Sequence, residues 1–197
     1  MNAGCVVYNI EYETNGDNDF VTQLMPKDII MKFKDNKISI LSSIAFGQIT
    51  GNMLLDTRNK SAATGISYAG KNHKIELQGE DVKFNMFNFN DYKIIDTDKS
   101  VSYMGLNCKV LKLASIKDTF EVHYTNDIAI SDIHWNGTMK EIPGVPLKYR
   151  MIMNGINATA TPKEIYACEF PDSDFELDDK YITASKEKMN SIFKLFD

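Results

Sequence analysis

Between Ile142 and Ile165 the chain reads IPGVPLKYRMIMNGINATATPKEI, with apolar and polar residues alternating on both sides of Asn154-Gly155. That dipeptide suits a type I′ turn, whose central residues need φ > 0 and whose twist matches the flanking strands. A two-residue loop sets Met153 opposite Ile156, Met151 opposite Ala158 and Tyr149 opposite Ala160, which makes one face of the hairpin apolar. The other face pairs Arg150 with Thr159, Lys148 with Thr161 and Ile152 with Asn157. A slip of one residue would carry Met151 and Met153 to the polar side, so turn and pattern agree on one register.

The same period of two recurs along the chain. Cys5 to Thr14, Ile29 to Phe33, Lys37 to Ile44, Ile49 to Thr57, Ala62 to Ala69 and Lys74 to Gln78 read as strands. Asp35-Asn36 marks a second hairpin, and Asn15 to Asp19 a polar turn. Lys83 to Tyr92 interleaves Phe84, Phe87, Phe89 and Tyr92 with asparagines, and Tyr92 to Asp96 follows. Leu106 to Leu113 changes phase between Val110 and Leu111, which predicts a bulge. In Thr119 to Thr125, Phe120, Val122 and Tyr124 are expected to face inward, with Glu121 and His123 outward.

Only one stretch has a helical period. From Thr183 to Phe196, Met189, Ile192, Phe193 and Phe196 form one apolar stripe, with Thr183 or Ser185 as the N-cap and Glu187 in the first turn. Roughly ten short strands and one terminal helix predict a mainly β protein with one large antiparallel sheet. At 197 residues, with no linker or repeat, residues 1–197 read as a single domain with a sizeable core.

A net charge of −5 with no basic face or tail leaves nucleic acid out of the expected partners. No run of 18 apolar residues predicts a transmembrane helix. Ala3-Gly4-Cys5 has the form of the end of a bacterial lipoprotein signal, without the charged and apolar regions that precede such a site. One reading makes Cys5 the lipid-bearing residue and residues 1–4 the remnant of a processed signal, with Met1 an added start; the other is a chance match at a frayed terminus. Cys108 and Cys168 then form an even pair, either a disulfide in an oxidising compartment or two buried thiols.

Candidate chemistry is sparse. His73, His123 and His134 are the histidines, and none has metal-ligand spacing. There is no G-x-S-x-G elbow and no glycine-rich phosphate loop. The acidic run Asp172, Asp174, Glu176, Asp178, Asp179 lacks the central glycine of a calcium loop and reads as a solvated connection. No catalytic residue, metal or cofactor is therefore expected. The methionines are the sharper feature: Met25, Met31, Met53, Met86, Met104, Met139, Met151 and Met153 suit either an adaptable core or an apolar ligand site.

Gly105 to Lys109 (GLNCK), Tyr124-Thr125 and Ile142-Pro143-Gly144, in that order and spacing, resemble a Bacteroidetes family of exported proteins of unknown function, the GLPGLI-like group. The resemblance covers about the last hundred residues well and the first ninety loosely. It implies a curved half-barrel sheet similar to the lipoprotein-carrier (LolA-like) group, able to hold an acyl chain in its concave face, and it implies export. It carries no catalytic residues, and His123 stands where members often have Trp.

The sequence thus predicts a single curved antiparallel sheet, LolA-like, closed by a C-terminal helix at 183–196. The expected function is an exported, lipid-anchored protein of the periplasm or outer membrane that is not an enzyme. It would bind a lipid or acylated protein between Tyr149, Met151 and Met153 on one side and Phe84, Phe87 and Phe89 on the other. The alternatives are an envelope interaction protein with no small ligand, and a hydrolase of envelope glycans or lipids.

Overall fold

The computed structural model describes residues 1–14, 16, 19–79, 92–116, 118–135, 139, 141–153 and 155–193. The first strands are β1 (Ala3–Tyr12), β2 (Asp28–Lys34), β3 (Lys37–Ile44), β4 (Ile49–Asp56), β5 (Ser61–Tyr68) and β6 (Lys71–Gln78). They are followed by β7 (Lys93–Tyr103), β8 (Leu106–Ala114), β9 (Thr119–Thr125), β10 (Val145–Met153), β11 (Ile156–Tyr166) and β12 (Ile182–Thr183). Two α-helices lie among the described residues, α1 (Asp19–Leu24) and α2 (Lys186–Phe193). The strands join in one sheet, in the order β12-β6-β5-β4-β3-β2-β1-β11-β10-β9-β8-β7. The sheet is open and curled rather than closed, and antiparallel except where β12 runs parallel to β6.

The hairpin β10–β11 has the expected register, with Met153 opposite Ile156, Met151 opposite Ala158 and Tyr149 opposite Ala160. Gly155 takes φ +73, the left-handed conformation that the turn requires. β11 then pairs with β1, placing Ala160 opposite Ile10 and Ala158 opposite Tyr12. The first and last long strands therefore meet in the middle of the sheet, and every meander on either side is local.

The main core lies on one face, the inner one. Val6, Tyr8 and Ile10 of β1, Met31 and Phe33 of β2, and Leu147, Tyr149 and Met151 of β10 share it. Ile128, Met139 and Ile142, from the connection between β9 and β10, are buried in the same cluster. Each large aliphatic side chain so buried contributes about 1.5–3 kcal/mol. A smaller cluster forms where Met189 and Ile192 of α2 cover Ile66. Ile66 is on the same face as Ala62, so α2 also lies inside.

The segment before α2 crosses the opposite face. Lys32 and Lys34, which alternate with Met31 and Phe33, reach out to Asp174 at 2.7 Å and Asp172 at 2.9 Å. The Lys32 ammonium also stands 4.9 Å from the centre of the Phe170 ring. Further along, Tyr181 Oη and Ser67 Oγ are 3.3 Å apart. The chain thus runs over the outer face from Phe170 to Tyr181, turns round the β6 edge as β12, and enters the inner face as α2.

Four expectations need correction. The phase change at Val110 and Leu111 is not a bulge in β8, which pairs with β9 without a break. The irregularity lies on β7, between Asp96 and Ser100, where Asp98 takes φ +53. Both faces of β8 are covered at that point, so consecutive apolar residues are both buried. β7 itself runs to Tyr103, well past Asp96, as an exposed edge strand. α1 begins at Asp19, the last residue of the stretch expected as a polar turn, and His123 lies on the outer face as expected but is buried there, at 6% exposure. The expected site residues Phe84, Phe87 and Phe89 lie outside the described residues, as does Phe196.

Candidate functional site

Tyr149 and Met151, expected to line a ligand site, are buried in the main core, and Met153 is half-buried against it. Tyr149 meets Tyr8 edge to face, with ring centres 5.7 Å apart, and burial pushes its pKa up to about 12. Tyr8 in turn donates to the Pro146 carbonyl at 2.9 Å. Ile128, Met139 and Ile142 are buried in the same cluster. The apolar face of the hairpin is therefore occupied by the chain's own side chains. One polar atom there stands out: the indole Nε1–H of Trp135, which packs against the core, is buried without a hydrogen-bond partner.

The three cysteines are free thiols. Cys108 is buried on β8, and burial pushes its thiol up to about 11. Cys168 is exposed beyond the end of β11, with β9 and β10 lying between it and β8, so the two form neither a disulfide nor a pair of buried thiols. Cys5 sits inside β1, opposite Lys32 on one side and Tyr166 on the other, with no exposed surface. A thioether-linked lipid needs a side chain that can leave the protein, so this geometry argues against Cys5 as its bearer. Met1 is packed as well, its carbonyl accepting from the Ala129 amide at 2.9 Å.

Two polar clusters rigidify the β7–β11 half. At His123, Nε2–H donates to Glu121 at 3.3 Å, leaving Nδ1 to accept from the Tyr103 hydroxyl at 2.7 Å. Desolvation pushes the His123 pKa down, while its hydrogen bond holds the Glu121 carboxyl below the usual range. Burial raises the Tyr103 pKa, so the hydroxyl is no activated nucleophile. The second cluster joins Arg150 to Asp118 and, at 3.1 Å, to Glu13. Tyr92 donates to Asp118 at 2.6 Å, and Arg150 stacks on Phe120. The first cluster reaches across β8 to join β7 to β9, and the second joins β10 to the segments flanking β9 and β1. Among the described residues no group of three His, Cys, Asp or Glu gathers as metal ligands. Asp172 and Asp174 of the acidic run are instead held in the lysine pairs of the outer face.

A cleft of about 440 Å³ opens elsewhere, where the ends of β4 and β6 meet the start of β5 under residues 175–177. Leu54, Leu77 and Leu177 supply apolar surface, and Phe175, nearly buried, fixes the covering segment. Asp56, Glu76 and Glu176 line it together with Lys37. The Asp56 carboxylate accepts from the Asn59 amide at 2.9 Å, and Glu76 pairs with Lys74 at 3.0 Å. The strands around the cleft were legible in the sequence, but the cleft was not. It depends on where residues 170–181 lie, and no local pattern specifies that.

No protein-family model matches the chain, and no curated protein matches it in sequence. Among solved structures it is similar to PNGF-II, in two crystal forms. In the P21 form the TM-score is 0.58 at 12% identity, covering 100% of this chain and 34% of PNGF-II. In the C2 form it is 0.56 at 12% identity, covering 100% and 33%. At that identity the likeness is one of fold. The chain spans about a third of the length of PNGF-II.

Proposed function

We propose that this chain is a non-enzymatic binding module that meets its partner from outside the curled sheet. The observation that carries this reading is the occupied inner face, where Tyr149 and Met151 are buried within the main core cluster. A carrier of apolar ligands needs an unfilled concavity, whereas an interaction module needs only a stable scaffold with an accessible exterior. The likeness to a third of a longer protein is in keeping with a fold used as one part of a larger assembly. An exported, envelope location belongs to the same proposal and rests on the sequence resemblance. Native mass spectrometry of the protein purified from its own cells tests it, together with crosslinking. The reading expects a ligand-free mass and crosslinks to outer-face residues. A co-purifying lipid at one per chain would overturn it.

A second reading retains an apolar ligand held inside. It is favoured by the buried, unpartnered indole N–H of Trp135, which a ligand oxygen would satisfy. The same mass measurement separates the two.

A further inference from the structure

Antiparallel pairing sends the turns alternately to the two ends of the sheet. β2 begins beside the last residues of β1, and β3 ends beside the start of β2. β11 starts, and β10 stops, at that same end, and β9 starts there beside the last residues of β8. α1, the β3–β4 turn at Ala45–Gly47 and the β8–β9 turn at 115–118 therefore share one rim. They carry most of their bulk to the outside. Phe20 on α1 is 71% exposed, Val21 is exposed beside it, Phe46 is 86% exposed, and Ile116 is fully exposed. α1 lies against the Ala45–Gly47 turn, so the two phenylalanines stand on neighbouring tips. At the opposite rim the β2–β3 and β4–β5 turns are Asp35-Asn36 and Thr57 to Lys60, polar throughout, with Met104 the exposed apolar residue of the β7–β8 turn.

Phe46 is costly where it stands. Ala45, Phe46 and Gly47 take φ values of +49, +56 and +89, a left-handed run that suits glycine or asparagine and disfavours a bulky side chain. Neither burial nor backbone preference accounts for an aromatic residue on that tip. We infer that this rim rests on the surface of a lipid bilayer, with Phe20, Val21 and Phe46 inserted among the headgroups and Ile116 as a second foothold. The β3–β4 and β8–β9 turns are six strand spacings apart, about 29 Å along the rim at roughly 4.8 Å each. Apolar tips so far apart make no continuous patch of the kind a globular partner buries. A plane, by contrast, touches separated points of a rim at once, and aromatic and aliphatic side chains partition into the boundary between headgroups and acyl chains. The attraction is apolar. Arg150 is tied to Asp118 and Glu13, Lys163 to Asp28 at 3.1 Å, and the whole chain carries −5, so no basic patch among the described residues draws this end to anionic lipid. No lipid leaves the bilayer in such a contact, which is compatible with the filled inner face. The inference goes beyond the outside-binding reading and does not depend on it.

The test is co-sedimentation of the full chain with sucrose-loaded phosphatidylcholine vesicles. Binding is expected, and roughly tenfold more salt, which screens ionic attachment, should leave it unchanged. Phe46→Ser should weaken it about tenfold, the effect of withdrawing part of one aromatic side chain from an apolar phase. Phe46→Leu should retain it, Phe20→Ser combined with Phe46→Ser should abolish it, and Met104→Ser, at the opposite rim, should bind as the parent does. All three positions are exposed, and parent-like thermal unfolding verifies the fold of each variant. Absence of vesicle binding by the parent overturns the inference, as does undiminished binding by Phe46→Ser or an equal loss in Met104→Ser. A chain that ignores vesicles but forms a dimer, lost in Phe46→Ser, also overturns it and gives the tips to a second copy. Any of these failures leaves the outside-binding reading to its own mass and crosslinking test, which uses no vesicles.

Discussion

Gly65 lies directly beneath Tyr181: a Cβ on Gly65 would stand 2.6 Å from Tyr181 Cε1 and 2.8 Å from Leu177 Cδ2. The contact shows why the segment from Phe170 to Tyr181 can lie flat on β5. The outer face of β5 presents Ala63, Gly65 and Ser67 there, all small, so the crossing chain comes close to the sheet.

Gly65→Val should therefore lift the crossing segment. The expected cost is about 1–3 kcal/mol of stability, the usual range for overpacking. Limited proteolysis should cut the variant between residues 168 and 181 faster than the parent, with the β1–β11 region unaffected. A variant as resistant as the parent would show that the segment is held by its lysine pairs alone.

Met151 and Met153 are neighbours on one hairpin face yet differ in burial, at 8% exposed and half-buried respectively. Met151→Ala should cost about 2–5 kcal/mol, as for other buried large-to-small changes. Met153→Ala should cost clearly less. Urea unfolding curves for the two variants measure the difference, and equal losses would contradict the packing described.

Stability should fall as the medium becomes acidic. Burial lowers the pKa of both His123 and His134 below the ordinary histidine value of about 6.5. Their folded forms thus bind protons less readily than the unfolded chain, so stability rises with pH through this window. The contribution is fully present above 6.5 and is lost as pH falls from there through the depressed folded values. Glu121, also lowered, acts in the same direction at lower pH. Thermal unfolding between pH 5 and 8, roughly the histidine range, should show a falling midpoint on the acid side. His123→Gln should flatten that slope, although His134 keeps part of it through its burial, which outweighs the opposing effect of its bond to the Gly144 carbonyl, 2.9 Å away.

Thiol labelling of the native protein should modify Cys168 at once, and Cys5 and Cys108 only on unfolding. Cys168 is exposed, whereas the other two are buried with raised pKa values. Thiolate is the reactive form, so both effects slow them. Rapid modification of Cys5 would reopen its reading as a lipid-bearing residue.

What was legible in the sequence follows from locality. The β10–β11 register depends on a two-residue turn and an alternating pattern, both written within about twenty residues. The pairing of β2 with β3 around Asp35 and Asn36, whose φ values are +48 and +69, was legible for the same reason. His123 was not, because its alternation says which face it occupies but not that Tyr103 and Glu121 close over that face. The inner packing of the β9–β10 connection was equally hidden: Ile128, Met139 and Ile142 carry no period, and only their place in the fold buries them. The cleft at Glu76 to Gln78 depends on the crossing chain held over β5, which no stretch of β6 records.

The filled inner face is the central claim, and a titration of the full chain with a fluorescent fatty acid tests it most directly. A filled inner face gives no saturable binding, and the same flat response in a Met151→Leu variant that preserves core volume. Saturable binding of one fatty acid per chain, displaced by unlabelled fatty acid, would contradict it.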